Sequence, residues 1–169
     1  MANTSRQQGT VEQRIWNTLR DVPDPEIPVL SIVDLGIVRH VRVADGVVQV
    51  GLSPTYSGCP AIAAIKVSVT RELREAGFDR VEVQEVLAPA WSSDWISEEG
   101  RNKLREYGIA PPAEAVSNPR RLVRAAPVVA CPLCNSVQTH RISEFGSTPC
   151  KALYRCASCL EPFDYFKCH

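Results

Sequence analysis

The chain has 169 residues, 44% of them apolar and 22% charged, and its 19 basic and 19 acidic side chains cancel. That length accommodates one ordinary domain, or a small domain plus a stapled module. Balanced charge excludes a global field toward nucleic acid or an anionic membrane. No apolar stretch approaches the roughly 20 residues of a membrane span, and the polar start MANTSRQQGTVEQR has no apolar signal core, so a cytoplasmic protein is expected.

Residues 1–9 are polar and read as a disordered N-terminus. Thr10 offers a helix N-cap and Gln13 completes a capping box. The stretch VEQRIWNTLRDV then sets Val11, Ile15, Leu19 and Val22 at helical spacing, with Trp16 beside them. Pro23, Pro25 and Pro28 stop this helix and force an extended segment, VPDPEIPVL. In IVRHVRVADGVVQVGLS, two β-branched runs flank Asp45-Gly46, whose tolerance of positive φ predicts a hairpin. A helix follows, with Ala61, Ile65, Val69 and Leu73 on one face and Gly77 as its stop. VEVQEVLA reads as a third strand, and Ser97 caps a last helix that ends at Gly108. Residues 10–110 are therefore expected to form an α+β domain, a small mixed sheet covered by helices. The Pro-, Ala- and Arg-containing stretch 111–128 reads as a linker.

Seven cysteines in a cytosolic chain are not read as disulfides. Cys59 stands alone, whereas Cys131, Cys134, Cys150, Cys156, Cys159 and Cys168 crowd the last 39 residues. CPLC at 131–134 and CASC at 156–159 are two C-x2-C turns separated by 21 residues. Each such turn aims two thiolates at one ion, and two turns complete a tetrahedron suited to zinc, or to iron in a rubredoxin-like site. VQTHRIS, KALYRC and PFDYFK alternate as short strands. Residues 129–169 thus read as a small β-rich zinc ribbon whose structural metal supplies stability that so few residues cannot bury. Cys150, Cys168, His140 and His169 are spare candidate ligands that keep a redox or delivery site open. Ribbon knuckles often continue with glycine; here Asn135 and Leu160 stand in those places, and only asparagine suits the left-handed conformation well. Four cations against three carboxylates make no nucleic-acid footprint on this module.

In SPTYSGCPAIA, Pro60 suits the first position of the helix, which makes Cys59 its expected N-cap. A sulfur among unpaired N–H groups at the positive helix end would favour thiolate over thiol. The alternative is a small buried residue at a helix start, and local sequence does not decide between them. For Asp24-Pro25-Glu26 the corresponding alternatives are a solvated turn, which local sequence favours, and a functional carboxylate pair.

DPEIPVLSIVDLGIV, SPTYSGCP and APAWSSDWISEEGRNKLREYGI together resemble the MIP18 (DUF59) family over roughly residues 10–110. The resemblance implies iron–sulfur cluster assembly or delivery, and a site assembled from Asp24, Glu26, Thr55 and Cys59. The family often has a second threonine in the loop, where Tyr56 stands here. Joined to FGSTPCKALYRCASCLEPFDYFKCH, the domain narrows the resemblance to the D components of bacterial phenylacetate degradation. These accompany a multicomponent ring 1,2-phenylacetyl-CoA epoxidase with a di-iron oxygenase subunit and an iron–sulfur reductase.

What the resemblance implies is an accessory maturation factor without independent catalysis, serving the reductase or the di-iron subunit alongside general iron–sulfur assembly proteins. A transient cluster or iron would pass through Cys59, and zinc would be structural. The runner-up is an integral, structural or electron-relaying epoxidase subunit. A third reading, a cysteine enzyme, lacks an obviously placed base among His40, His140 and His169. Whether the chain forms a homodimer stays open.

Overall fold

A computed structural model of the chain describes residues 2–113 and 128–167. Most of the expected linker, residues 114–127, and the spare candidates Cys168 and His169 lie outside the described residues. Two compact units form, Met1–Trp91 and Ser92–His169. Among the described residues no helix is long and apolar enough to cross a membrane.

In the first unit, α1 spans Ala2–Arg20, so Thr10 lies inside the helix instead of capping it, and the expected disordered start is helical from Ala2. Packed turns further along nucleate the helix, which lowers the cost of extending it back through this polar stretch. Ile15 and Leu19 of this helix, with Val22 just beyond it, are fully buried. The proline segment is not extended. It folds back in turns, with an isolated antiparallel bridge between Pro23 and Ser31. The Asp24 carboxylate closes that strap by accepting the backbone N–H groups of Glu26 and Ile27, and Asp24 N–H donates to the Leu30 carbonyl.

The hairpin forms as expected. Strands β1 (Val38–Ala44) and β2 (Val47–Leu52) are antiparallel, with Asp45 at φ 51° and Gly46 at φ 74° in the two-residue turn. Helix α2 (Ala61–Glu75) buries the predicted face, Ala61, Ile65, Val69 and Leu73. It ends where Gly77 N–H bonds to the Arg74 carbonyl and Phe78 N–H to the Leu73 carbonyl, a pairing that requires the left-handed φ of 92° at Gly77. Strand β3 (Val81–Glu85) then pairs parallel to β2, so the sheet order is β1-β2-β3. The parallel pairing follows from the crossover through α2.

The second unit begins earlier than the cysteine cluster. Helix α3 (Glu98–Glu106) is capped by the Ser97 hydroxyl, which accepts Gly100 N–H at 2.9 Å. It leads through Gly108 into β4 (Ile109–Ala110). This short strand, at the end of the expected α+β domain, pairs parallel to β7 and completes a four-stranded sheet of order β4-β7-β6-β5. The other strands are the predicted ribbon strands: β5 (Thr139–Ser143), β6 (Lys151–Cys156) and β7 (Pro162–Phe166). Helix α3 and β4 therefore group with the ribbon sheet, and they enlarge a core that the ribbon alone could not build. Within that core Tyr154 meets Tyr165 edge-on at 5.4 Å and Phe163 at 6.0 Å, beside Cys131 and Cys156.

Candidate functional site

The four cysteines of the two C-x2-C turns come together as their spacing predicts. Their sulfurs all lie within 4.8 Å of one another. Cys131 and Cys159 stand 3.7 Å apart, Cys134 and Cys156 3.5 Å apart. Four sulfurs about one tetrahedral ion at a zinc–sulfur distance of about 2.3 Å would be about 3.8 Å apart. The residues present therefore fit a four-thiolate metal centre.

Turn chemistry explains how the sequence builds this set. Asn135 N–H bonds to the Cys131 carbonyl and Cys131 N–H to the Ser136 carbonyl, closing the first knuckle. Asn135 is left-handed there, at φ 59°. The second knuckle closes through Cys156 N–H to the Glu161 carbonyl, with Leu160 at φ 68°. Leucine thus does occupy the left-handed position that the sequence made doubtful. Its carbonyl accepts the Arg155 guanidinium at 3.1 Å.

Backbone N–H groups turn toward the sulfurs. Cys159 N–H, with Ser158 N–H as a second donor, favours the Cys156 thiolate against the opposing effect of burial and lowers that thiol to about 6. At Cys159 the Glu161 N–H also favours thiolate. Burial and hydrogen bonds to Cys156, Cys134 and Cys131 outweigh it and push the thiol up to about 12. Cys134 is raised in the same sense, because its bond to Cys156 and burial overcome the Ser136 N–H. Four adjacent sulfurs cannot all carry charge without a cation, so metal binding must release protons.

Of the spare candidates, Cys150 is not one of the four. It is buried, and its sulfur lies 3.0 Å from the Thr148 hydroxyl. His140 is exposed on β5, across from Arg155. In the first unit His40 is a cross-strand partner of Gly51 and packs over its backbone.

Cys59 lies in the loop between β2 and α2, only 8% exposed. Its N–H donates to the Tyr56 carbonyl and its own carbonyl accepts Ile62 N–H. The cap position falls on Pro60, with φ −66° and ψ −24°, and no side chain makes a capping bond. This corrects the expected N-cap by one residue: Pro60 is already helical, because its ring presets the helical φ. Thr55 is half-buried in the same loop.

Asp24 and Glu26 sit on the strap. Asp24 is 6% exposed, and its carboxylate satisfies the strap's own amides, so it is a buried turn residue and not a solvated one. A run of backbone bonds leads from strap to loop: Ile32 N–H to the Val22 carbonyl, Ile37 N–H to that of Ile32, and Ser53 N–H to that of Ile37. Sequence reasoning passed over the groups that brace this region. Ser31 and Asp34 cap each other reciprocally, a pairing readable in their i, i+3 spacing, whereas the Trp91 indole bond to the Leu35 carbonyl spans 56 residues.

Comparison with known proteins agrees with the division of chemistry. A family model described as iron-sulfur cluster assembly protein matches residues 12–86, and one described as PaaD zinc beta ribbon domain matches residues 115–167. An Escherichia coli (strain K12) protein, provisionally named as the D component of 1,2-phenylacetyl-CoA epoxidase, is 52% identical over 155 residues, covering 91% of each chain. An Fe-S protein maturation auxiliary factor of Porphyromonas gingivalis is 38% identical over 95 residues, 55% of this chain and 90% of its own. The crystal structure of a DUF59 domain of unknown function from Bacillus anthracis matches with a TM-score of 0.55 and 27% identity, over 59% of this chain and 96% of that one.

Proposed function

The chain belongs to the family of its Escherichia coli relative, the D components of 1,2-phenylacetyl-CoA epoxidase, and on that premise we propose that it is a maturation factor for the epoxidase complex. It would assist assembly of an iron–sulfur cluster, or delivery of iron, into a client protein of that complex. The carrying observation is a division of thiols. Four cysteines make a self-contained metal set in the ribbon, while the assembly domain keeps one separate thiol, Cys59, at a strand-to-helix turn.

In this reading the cluster is cargo and Cys59 is its transient thiolate ligand. Asp24 shapes the strap that carries Glu26, and Glu26 is the auxiliary hard ligand or proton acceptor. Thr55 orients the loop. The ribbon holds zinc and docks the client. The clients that fit are the iron–sulfur reductase and the di-iron oxygenase subunit, with general iron–sulfur assembly proteins upstream. Kinship with a Porphyromonas gingivalis Fe-S protein maturation auxiliary factor supports this reading.

The test replaces Cys59 with Ser in cells and purifies the reductase. Its cluster occupancy and the epoxidase activity should fall together, and full occupancy with full activity would falsify the proposal. The name of the Escherichia coli relative favours a second reading, an integral structural or electron-relaying subunit. Reconstitution from mature components separates the two: equal turnover with and without this chain removes the subunit reading.

A further inference from the structure

The two metal-binding knuckles are joined by more than their shared sulfurs. Ser136 follows the first cysteine pair, and Ser158 lies inside the second. Their hydroxyls meet at 2.7 Å, across the gap that a metal ion would close. Each serine is also tied to a sulfur of its own knuckle by its backbone N–H, Ser136 to Cys134 and Ser158 to Cys156. Cys134 and Cys156 are themselves one of the two close sulfur pairs, at 3.5 Å. The Ser136 hydroxyl oxygen also accepts Gln138 N–H, and the Gln138 carbonyl accepts Ala157 N–H at 2.7 Å from the other knuckle. One side-chain bond and one backbone bond therefore span the same gap, and only the side-chain bond can be deleted without altering the ligands.

We propose that Ser136 and Ser158 form a clasp that holds the two cysteine pairs at metal-binding separation and slows release of the ion. They are positioning residues that act through Cys134 and Cys156. Losing the ion requires one knuckle to swing away from the other, and that movement breaks the hydroxyl bond. Groups of this kind around a metal site set ligand orientation and commonly change affinity when removed. The inference rests on the four-thiolate set and is independent of Cys59.

The test follows zinc release from the zinc-loaded full-length protein into an excess of chromogenic chelator. Ser136→Ala and Ser158→Ala each release zinc roughly three- to tenfold faster, the range of one hydrogen bond. Because the two hydroxyls share one bond, and Ser136 alone also accepts the Gln138 amide, the double variant releases no faster than Ser136→Ala. Ser158→Thr keeps the hydroxyl and restores the slow rate. Cobalt-loaded variants all keep tetrahedral thiolate absorption bands, since no ligand is lost. Release within about twofold of the unaltered protein in both single variants overturns the clasp. A double variant whose acceleration is the product of the two single effects overturns it equally, because the hydroxyls then act apart. Loss of the cobalt bands in the alanine variants assigns the serines to folding instead and also defeats it. A chain that takes up neither zinc nor cobalt removes the four-thiolate reading, and the clasp with it.

Discussion

The imidazole of His40 occupies the space where a side chain on Gly51 would stand: an added Cβ would meet Cε1 at 2.1 Å and Nδ1 at 2.4 Å. The two are cross-strand partners beside the irregularity between Val38 and His40 in β1. Gly51→Ala therefore forces the ring out of its place and should cost about 1–3 kcal/mol. His40→Ala in the same chain should restore most of that loss. Chemical denaturation of the single and double variants checks it, and a neutral Gly51→Ala would show that the ring gives way freely.

Asp24 is the hinge of the strap. Its Oδ1 takes two amides, Glu26 at 2.9 Å and Ile27 at 2.8 Å, from a nearly buried position. Asp24→Ala leaves both donors without their acceptor and should destabilise by about 2–4 kcal/mol, whereas Asp24→Asn keeps one acceptor oxygen and should cost roughly half as much. If the alanine variant unfolds at the same denaturant concentration as the unaltered protein, the strap is held some other way.

Acid should empty the ribbon. Metal binding needs thiolates, so protons compete with the ion and affinity falls as pH falls. The metal-free ribbon has its own dependence. Cys156 is lowered from 9.0 to about 6 in the fold, so its contribution is complete above pH 9.0 and disappears as pH falls through about 6. Cys159 is raised to about 12, so its contribution is complete below 9.0 and disappears as pH rises through about 12. Binding of zinc near neutral pH should therefore release protons, measurable by titration calorimetry in buffers of different ionisation enthalpy. A buffer-independent heat would contradict this.

Leu160 keeps a left-handed φ of 68° while its side chain is 61% exposed, so it loses little contact if removed. Leu160→Gly relieves that backbone and should stabilise the metal-loaded protein by about 1 kcal/mol. An unchanged or lower melting temperature would argue that the leucine side chain contributes contacts that offset its backbone.

The elements legible in the sequence are those fixed by short-range chemistry. Asp45-Gly46 announces the hairpin, the 61-65-69-73 stripe announces α2, and the two C-x2-C pairs announce the thiolate set, because turn φ angles, helical period and ligand spacing are local properties. Tertiary structure alone decided the rest. The strap reads as extended from its prolines and folds back because Asp24 binds its own neighbours' amides. Residues Ile109 and Ala110 read as the end of a domain, yet become a strand because β7 offers a free edge 55 residues away. Ser136 and Ser158, 22 residues apart, are brought together only when the two knuckles meet, a contact whose loop-closure cost no local pattern records.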